Sequence, residues 1–215
     1  MKKIALAFSM ILMTFVGSQS GIASQKSEMT DLLNNLKKGG YIVYMRHPQT
    51  DKSQRDTDIK NLASCDTQRN LSNVGRETAG KIGQAIKSLD VKFSVIKTSE
   101  YCRARQVPEL MGIKTFEITP DLNHSGNMEE PAGEQQVQKL RTFFAEPPKG
   151  GMNTLLIGHS PNVIAMDPNL ISKGFKSGDM LVLKPKADKS GYTFVGRIAP
   201  KDWDSLKVKL ASRNK

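Results

Sequence analysis

Apolar residues at positions 29, 32, 33 and 36 fall at helical spacing and predict a helix that stops at Gly39-Gly40. The run Tyr41-Ile42-Val43-Tyr44-Met45 has no polar alternation and is β-prone, the pattern of a strand covered on both faces. Ser72 then reads as the N-cap of a helix whose apolar face is Val74, Ala79, Ile82, Ile86 and Leu89. Phe93-Ser94-Val95-Ile96 predicts a second strand, and residues 102–111 a helix broken around Pro108. Further on, the pattern predicts a short strand over 115–118, a helix over 136–144 and a buried strand over 154–157. Ser160-Pro161 reads as a cap and first-turn pair for the next helix. Two late strands, 180–183 and 192–198, are separated by a Lys-rich turn, and Trp203, Leu206 and Leu210 mark a final amphipathic helix. Strands alternating with helices predict an α/β sandwich around a mostly parallel sheet. Residues 49–70 interrupt this rhythm. They are polar and too long for an ordinary connection, which marks them as a functional loop.

The amino terminus follows a different pattern. Met1-Lys2-Lys3, an apolar run over residues 4–16 and a small-residue stretch ending near Ala23 have the form of a secretory signal. The run is apolar on every side, unlike an amphipathic first helix, and shorter than a bilayer-spanning helix requires. The expected division is therefore a signal peptide over residues 1–23 and one domain over residues 24–215, delivered to the periplasm with no stable membrane insertion after cleavage. Cys65 and Cys102 would meet an oxidising compartment, where an even pair is expected to form a disulfide. Two free thiols, or a Cys102 nucleophile beside Arg103 and Arg105, are the competing readings.

Composition narrows the function classes only so far. The 215 residues are 38% hydrophobic and 25% charged, which excludes a disordered or collagen-like chain. A net charge of +11 favours an anionic partner: nucleic acid, an anionic surface or a phosphorylated substrate. The Lys-rich segments 184–189 and 201–215 carry no aromatic except Trp203, so no nucleic-acid partner is expected and their lysines read as solvated surface.

Histidines carry the chemistry. His47 and His159 each stand just beyond a predicted buried strand, in Met45-Arg46-His47 and Ile157-Gly158-His159, and a third strand exit leads into Cys102-Arg103. In an open α/β sheet, ligands bind beyond the carboxyl ends of the strands, so these exits would converge if the strands are neighbours. At these residues the sequence resembles the histidine phosphatase superfamily, whose fold is phosphoglycerate-mutase-like. Arg46-His47-Pro48 is similar to its Arg-His-Gly signature, and Asn70-Leu71-Ser72 with Gly75 is similar to its Leu-Thr/Ser-x-x-Gly helix start. Thr98-Ser99 followed by Arg103-Ala104 and the later Gly158-His159 complete four segments in the family's order, over roughly residues 40–183. The Cys65 stretch, with Cys102 before Arg103, resembles an exported bacterial branch that includes lipopolysaccharide-core heptose phosphatases.

The resemblance implies a three-layer α/β sandwich and an exported phosphomonoesterase without metal or other cofactor. His47 would attack phosphorus and become a phosphohistidine. Arg46 and Arg103 would hold phosphate oxygens through their planar forks, and His159 would support the charge of the transferring group. Asn123 and Ser160 join Arg46, Arg103 and His159 as expected contacts to a small phosphorylated substrate. Two departures from the family stand out. Pro48 replaces the Gly, which fixes one backbone angle and removes an amide donor beside the nucleophile. Asn123 stands at the matching position for the family's acid, and an amide cannot protonate a leaving alkoxide. Asp121, His124, Glu129, Glu130 or Glu134 could take that role, although the Glu129-Glu130 pair reads first as a solvated loop. An envelope phosphate- or phosphosugar-binding protein that has lost turnover is therefore the alternative. Other readings fare worse. Gly158-His159-Ser160-Pro161-Asn162 lacks the final Gly of a nucleophile elbow. The three histidines show no close zinc-ligand spacing, and Gly39-Gly40 is followed by a strand with no Gly-Lys-Ser/Thr.

Overall fold

The computed structural model describes residues 19–128, 130, 132–172 and 174–213, with side chains from residue 28 to residue 206. Most of the signal segment read over residues 1–23 lies outside these residues, as does Glu129. Helix α1 (Gln19–Lys38) ends where the sequence predicts, at Gly39 and Gly40, which take φ values of 79° and 89°. At Gly39 a side chain has no room, since a Cβ would stand 1.9 Å from the Gly151 carbonyl oxygen.

The chain then lays down β1 (Ile42–Arg46), α2 (Asn73–Ser88), β2 (Phe93–Thr98), α3 (Cys102–Arg105), α4 (Val107–Leu110) and β3 (Glu117–Ile118). It continues with α5 (Ala132–Ala145), β4 (Asn153–Gly158), α6 (Ser160–Met166), β5 (Met180–Pro185), β6 (Tyr192–Ile198) and α7 (Pro200–Arg213). Six strands form one sheet in the order β3-β2-β4-β1-β5-β6. The pairs β2–β3, β2–β4 and β1–β4 are parallel, while β5 and β6 close one side antiparallel. The sheet is mostly parallel, as the alternation predicts.

Strand alternation divides the core into two apolar layers. Val43, Met45, Leu155, Ile157 and Val182 pack with Leu32, Leu36, Ile82, Ile86, Trp203 and Leu206 from α1, α2 and α7. Ile42, Tyr44, Leu156, Leu181 and Leu183 pack with Leu140 and Phe144 of α5 and Val163 and Met166 of α6. Helices on both faces of a central sheet make the three-layer sandwich. Central strands covered on both sides are the reason 41–45 and 154–157 read as unbroken apolar runs.

Three local expectations change. Val74, assigned to the apolar face of α2, is 56% exposed, because that face starts at Gly75 and Ala79. The strand expected over 115–118 shrinks to Glu117–Ile118. His159, not Ser160, is the N-cap of α6, and Ser160-Pro161 form its first turn. Ser72 does cap α2, accepting the Gly75 N–H at 3.1 Å. The break in the 102–111 helix falls at Gln106, so that Pro108 lies in the first turn of α4, where its missing N–H costs no hydrogen bond. Among the described residues, no helix is long and apolar enough to cross a membrane.

Candidate active site

Adjacent parallel strands bring the two strand-end histidines together. Arg46 of β1 lies in register with Gly158 of β4, and the His47 N–H donates to the Gly158 carbonyl at 3.0 Å. The His47 and His159 rings are 5.2 Å apart, and both side chains are buried. The β2 exit, on the other side of β4, supplies Ser99, Glu100, Tyr101 and then Arg103. Tyr44 ties the site to the core. Its hydroxyl donates to the His159 carbonyl and accepts from the His159 N–H, both at 2.9 Å. Gly158 makes this approach possible, since a Cβ there would meet the Tyr44 oxygen at 2.4 Å.

Hydrogen bonds fix the state of His47. Its Nδ1 lies 2.8 Å from the Pro48 carbonyl oxygen, which only accepts, so Nδ1 carries the proton and Nε2 keeps its lone pair. Burial pushes the His47 pKa down to about 3, against the Pro48 bond and with help from Arg103, Arg46 and Arg69. The ring is therefore neutral at pH 7, as an attacking nitrogen must be.

Arg103 is fully buried. One terminal nitrogen holds Asp56 at 2.9 Å, while Nε and Nη2 have no partner. Its guanidinium lies 4.3 Å from the Tyr101 ring centroid, a cation–π contact. Arg46 donates to the Phe175 carbonyl at 2.7 Å and keeps an unpartnered, buried Nε. Burial, then the charge of Arg69, lowers its pKa. His124 stands with its ring 5.2 Å from His159 and its Nδ1 buried without a partner. Burial, followed by Arg103, holds its pKa below 6.5. His159 Nδ1 is likewise buried and unpartnered.

Asn123, expected to contact substrate, is buried with both ends of its amide engaged. Its Oδ1 accepts from Ser99 Oγ and the Glu100 N–H at 2.9 Å, and its Nδ2 donates to Glu100 Oε2 at 2.7 Å. Ser160 opens α6, half-buried, directly after His159. Of the side chains considered as acids, Glu130 accepts the Glu134 N–H near the start of α5, and Glu134 is exposed on that helix. Asp121 lies in the single turn Pro120–Leu122. From that set, His124 is the side chain packed against His159. Among the described residues, no cluster of three or more His, Cys, Asp or Glu is disposed to hold a metal ion.

No protein-family model matches the chain, and no curated protein matches it. Solved structures do. The protein histidine phosphatase SixA in complex with tungstate is 18% identical, with a TM-score of 0.52 over 75% of this chain and 98% of that one. A structure described as a phosphohistidine phosphatase SixA from Nakamurella multipartitia is 20% identical, TM-score 0.53, covering 75% of this chain and 96% of its own. A structure described as an alpha-ribazole-5'-P phosphatase of Escherichia coli K-12 is 17% identical, TM-score 0.50, over 73% and 95%. The fold is that of the histidine phosphatases. At these identities the likeness is one of fold, and the chemistry must come from the side chains.

Within this histidine phosphatase fold, the loop over residues 49–70 adds two residues that sequence reasoning missed. Arg69 is close enough to act on the charges of Arg46, His47, Arg103 and His124, and its buried Nε has no partner. Asp56 accepts from Arg103 and from the Arg69 N–H, each at 2.9 Å. Arg69 directly precedes the recognised Asn70-Leu71-Ser72 segment, a position that could have marked it. A lone Asp in a polar loop gives no signal. The loop is closed at its base by the Thr50–Leu71 bridge and fastened to α3 by the Cys65–Cys102 disulfide. Gln68 accepts the Cys102 N–H at 2.9 Å, and Arg105 donates to the Leu62 and Ala63 carbonyls.

Proposed function

We propose that this protein is a phosphomonoesterase that works through a phosphohistidine on His47. One observation carries the reading: Arg46, Arg69 and Arg103, whose charges act on His47, and His159 and His124, packed in turn from the His47 ring, all have buried, unpartnered nitrogens. Buried donors and charges without partners are costly, and a bound phosphate group offers the charge and lone pairs that would satisfy them. A phosphoester bound there would be attacked by His47 Nε2, with Arg46, Arg69 and Arg103 neutralising the equatorial oxygens. The P–O bond to the leaving group breaks, and water then cleaves the P–N bond to release phosphate. Support also comes from the SixA neighbour solved with tungstate, a tetrahedral oxyanion.

His124 would supply the proton to the leaving oxygen in its imidazolium form, the minor form at pH 7 because burial lowers its pKa, since among the acids considered it is the one packed against His159. The resemblance to envelope heptose phosphatases favours a phosphosugar as natural substrate, and a panel of phosphosugars, nucleotides and phospholipid headgroups would rank the classes. Purified protein is expected to hydrolyse p-nitrophenyl phosphate in EDTA, and His47→Ala to abolish the activity. Tight phosphate binding without turnover on that panel would favour the binding-protein alternative. We further propose export with cleavage after Ala23. Sequencing the amino terminus of protein from the periplasmic fraction tests this, and an uncut Met1 would refute it.

A further inference from the structure

The bonds around His159 determine which of its nitrogens can carry a proton. Asn123 Oδ1 accepts the Glu100 backbone N–H at 2.9 Å, which fixes the orientation of the amide. Ser99 Oγ also lies 2.9 Å from that oxygen, so the Ser99 hydroxyl proton must point at Asn123. With its one proton so used, Ser99 Oγ can only accept from its other neighbours, the Tyr101 N–H at 3.2 Å and His159 Nε2 at 2.9 Å. His159 is thus protonated at Nε2. Its Nδ1, buried and unpartnered, then carries a lone pair. A neutral His159 can accept a hydrogen bond at that atom but cannot donate one.

We propose that Ser99 and Asn123 are positioning residues that hold His159 as the Nε2–H tautomer, so that binding of a phosphate-like dianion takes up one proton at His159 Nδ1. The inference rests on the reading of the pocket as a phosphate site. The lone pair would face the oxyanion, so the complex is favoured when Nδ1 gains a proton and donates it as a charge-assisted hydrogen bond. The surroundings set the starting state. His159 is faced by His47 and Arg46 from the end of β1, Arg103 from α3, Tyr101 from the β2 exit, and His124 from the segment before α5. Asp56 and Arg69 act through Arg103, and the Glu100 carboxylate through Asn123. Burial and the positive neighbours hold the free imidazole neutral near pH 7. The Asn123 backbone is itself pinned, its carbonyl accepting from Asn162 Nδ2 at 2.8 Å and from Gln136 Nε2.

Sulfate is the probe, because it stays a dianion throughout the neutral range and any proton gained must reside on the protein. Calorimetric titration in two buffers of different ionisation enthalpy counts the protons taken up. For the wild type we expect close to one, with sulfate affinity falling about tenfold per pH unit between pH 6.5 and 8.5. Asn123→Ala frees the Ser99 hydroxyl to donate to Nε2, which lets neutral His159 carry its proton on Nδ1. That variant is expected to take up about one proton fewer and to bind with a flattened pH profile, whereas a merely structural role would change affinity alone. Nitrogen-15 spectra of wild-type protein labelled at histidine give a readout independent of any variant: Nε2 alone protonated when free, both nitrogens when sulfate is bound. Sulfate binding without proton uptake, equal uptake in wild type and variant, or a free Nδ1–H tautomer would overturn the inference while leaving the phosphate site standing. Absence of any oxyanion binding would overturn both.

Discussion

His47 and His159 lie at matching ends of neighbouring strands, but the residue next to each gives them different jobs. The Pro48 carbonyl accepts a hydrogen bond from His47 Nδ1–H and leaves the Nε2 lone pair free for the attack proposed above. The feature that looked like a loss in the sequence, a proline where the family has glycine, thus still provides the acceptor that orients the His47 ring. His124 belongs to the same scale. If it protonates the leaving oxygen, His124→Asn should reduce p-nitrophenyl phosphate hydrolysis no more than about threefold, because that leaving group departs without a proton. Alkyl phosphates should lose on the order of 10²–10³ in kcat, and an equal loss on both substrates would remove His124 from that role. That Arg46, His47, Arg103 and His159 would come together was legible because each adjoins a strand end or a recognised motif. Asp56 and Tyr44 were not, because their roles depend on where a loop folds back and on which strand lies alongside.

Among the elements, the strands were the most legible, since burial on both faces leaves continuous apolar runs. Helix ends were less so. His159 caps α6 by backbone geometry without a side-chain bond, which no residue preference signals. The loop over residues 49–70 was legible as an anomaly of length, but its fastening to α3 is a three-dimensional fact. The disulfide joins residues 37 apart in sequence, and α3 carries Arg103, so the bridge holds the loop against the element that presents that buried arginine. Cys65→Ser is expected to destabilise the fold by about 2–4 kcal/mol, the usual range for losing such a cross-link. It should also raise KM for p-nitrophenyl phosphate roughly tenfold by loosening Arg69 and Asp56, a shift of about 1.4 kcal/mol. Unchanged KM after verified loss of the bridge would show that the loop holds its place without it.

At the scale of the whole molecule, the buried His47 and His159 and the half-buried His124, all with lowered pKa, make folding sensitive to acid. The His47 pKa falls from 6.5 unfolded to about 3 folded, and those of His159 and His124 move in the same direction. The unfolded chain therefore binds more protons below 6.5, so this stability is fully present above that pH and lost as the pH falls toward 3. For His47 alone the loss is roughly 4 kcal/mol at the acid end. Melting temperature should drop steadily from pH 7 to pH 4, and a flat profile across that window would contradict the burial of these rings. The net charge of +11 has a narrower meaning than composition gave it: it includes Arg46, Arg69 and Arg103, each with a buried, unpartnered Nε.

The bridge between Thr50 and Leu71 has a consequence for how such a protein could diversify. The loop leaves and re-enters the domain at one point, so a replacement could be grafted there if it restored a carboxylate for Arg103 and a cysteine for Cys102. Such a replacement, differing in its other residues, would change the charge that Arg69 now adds beside Arg46 and Arg103. The strand ends that hold His47 and His159 would be left as they are.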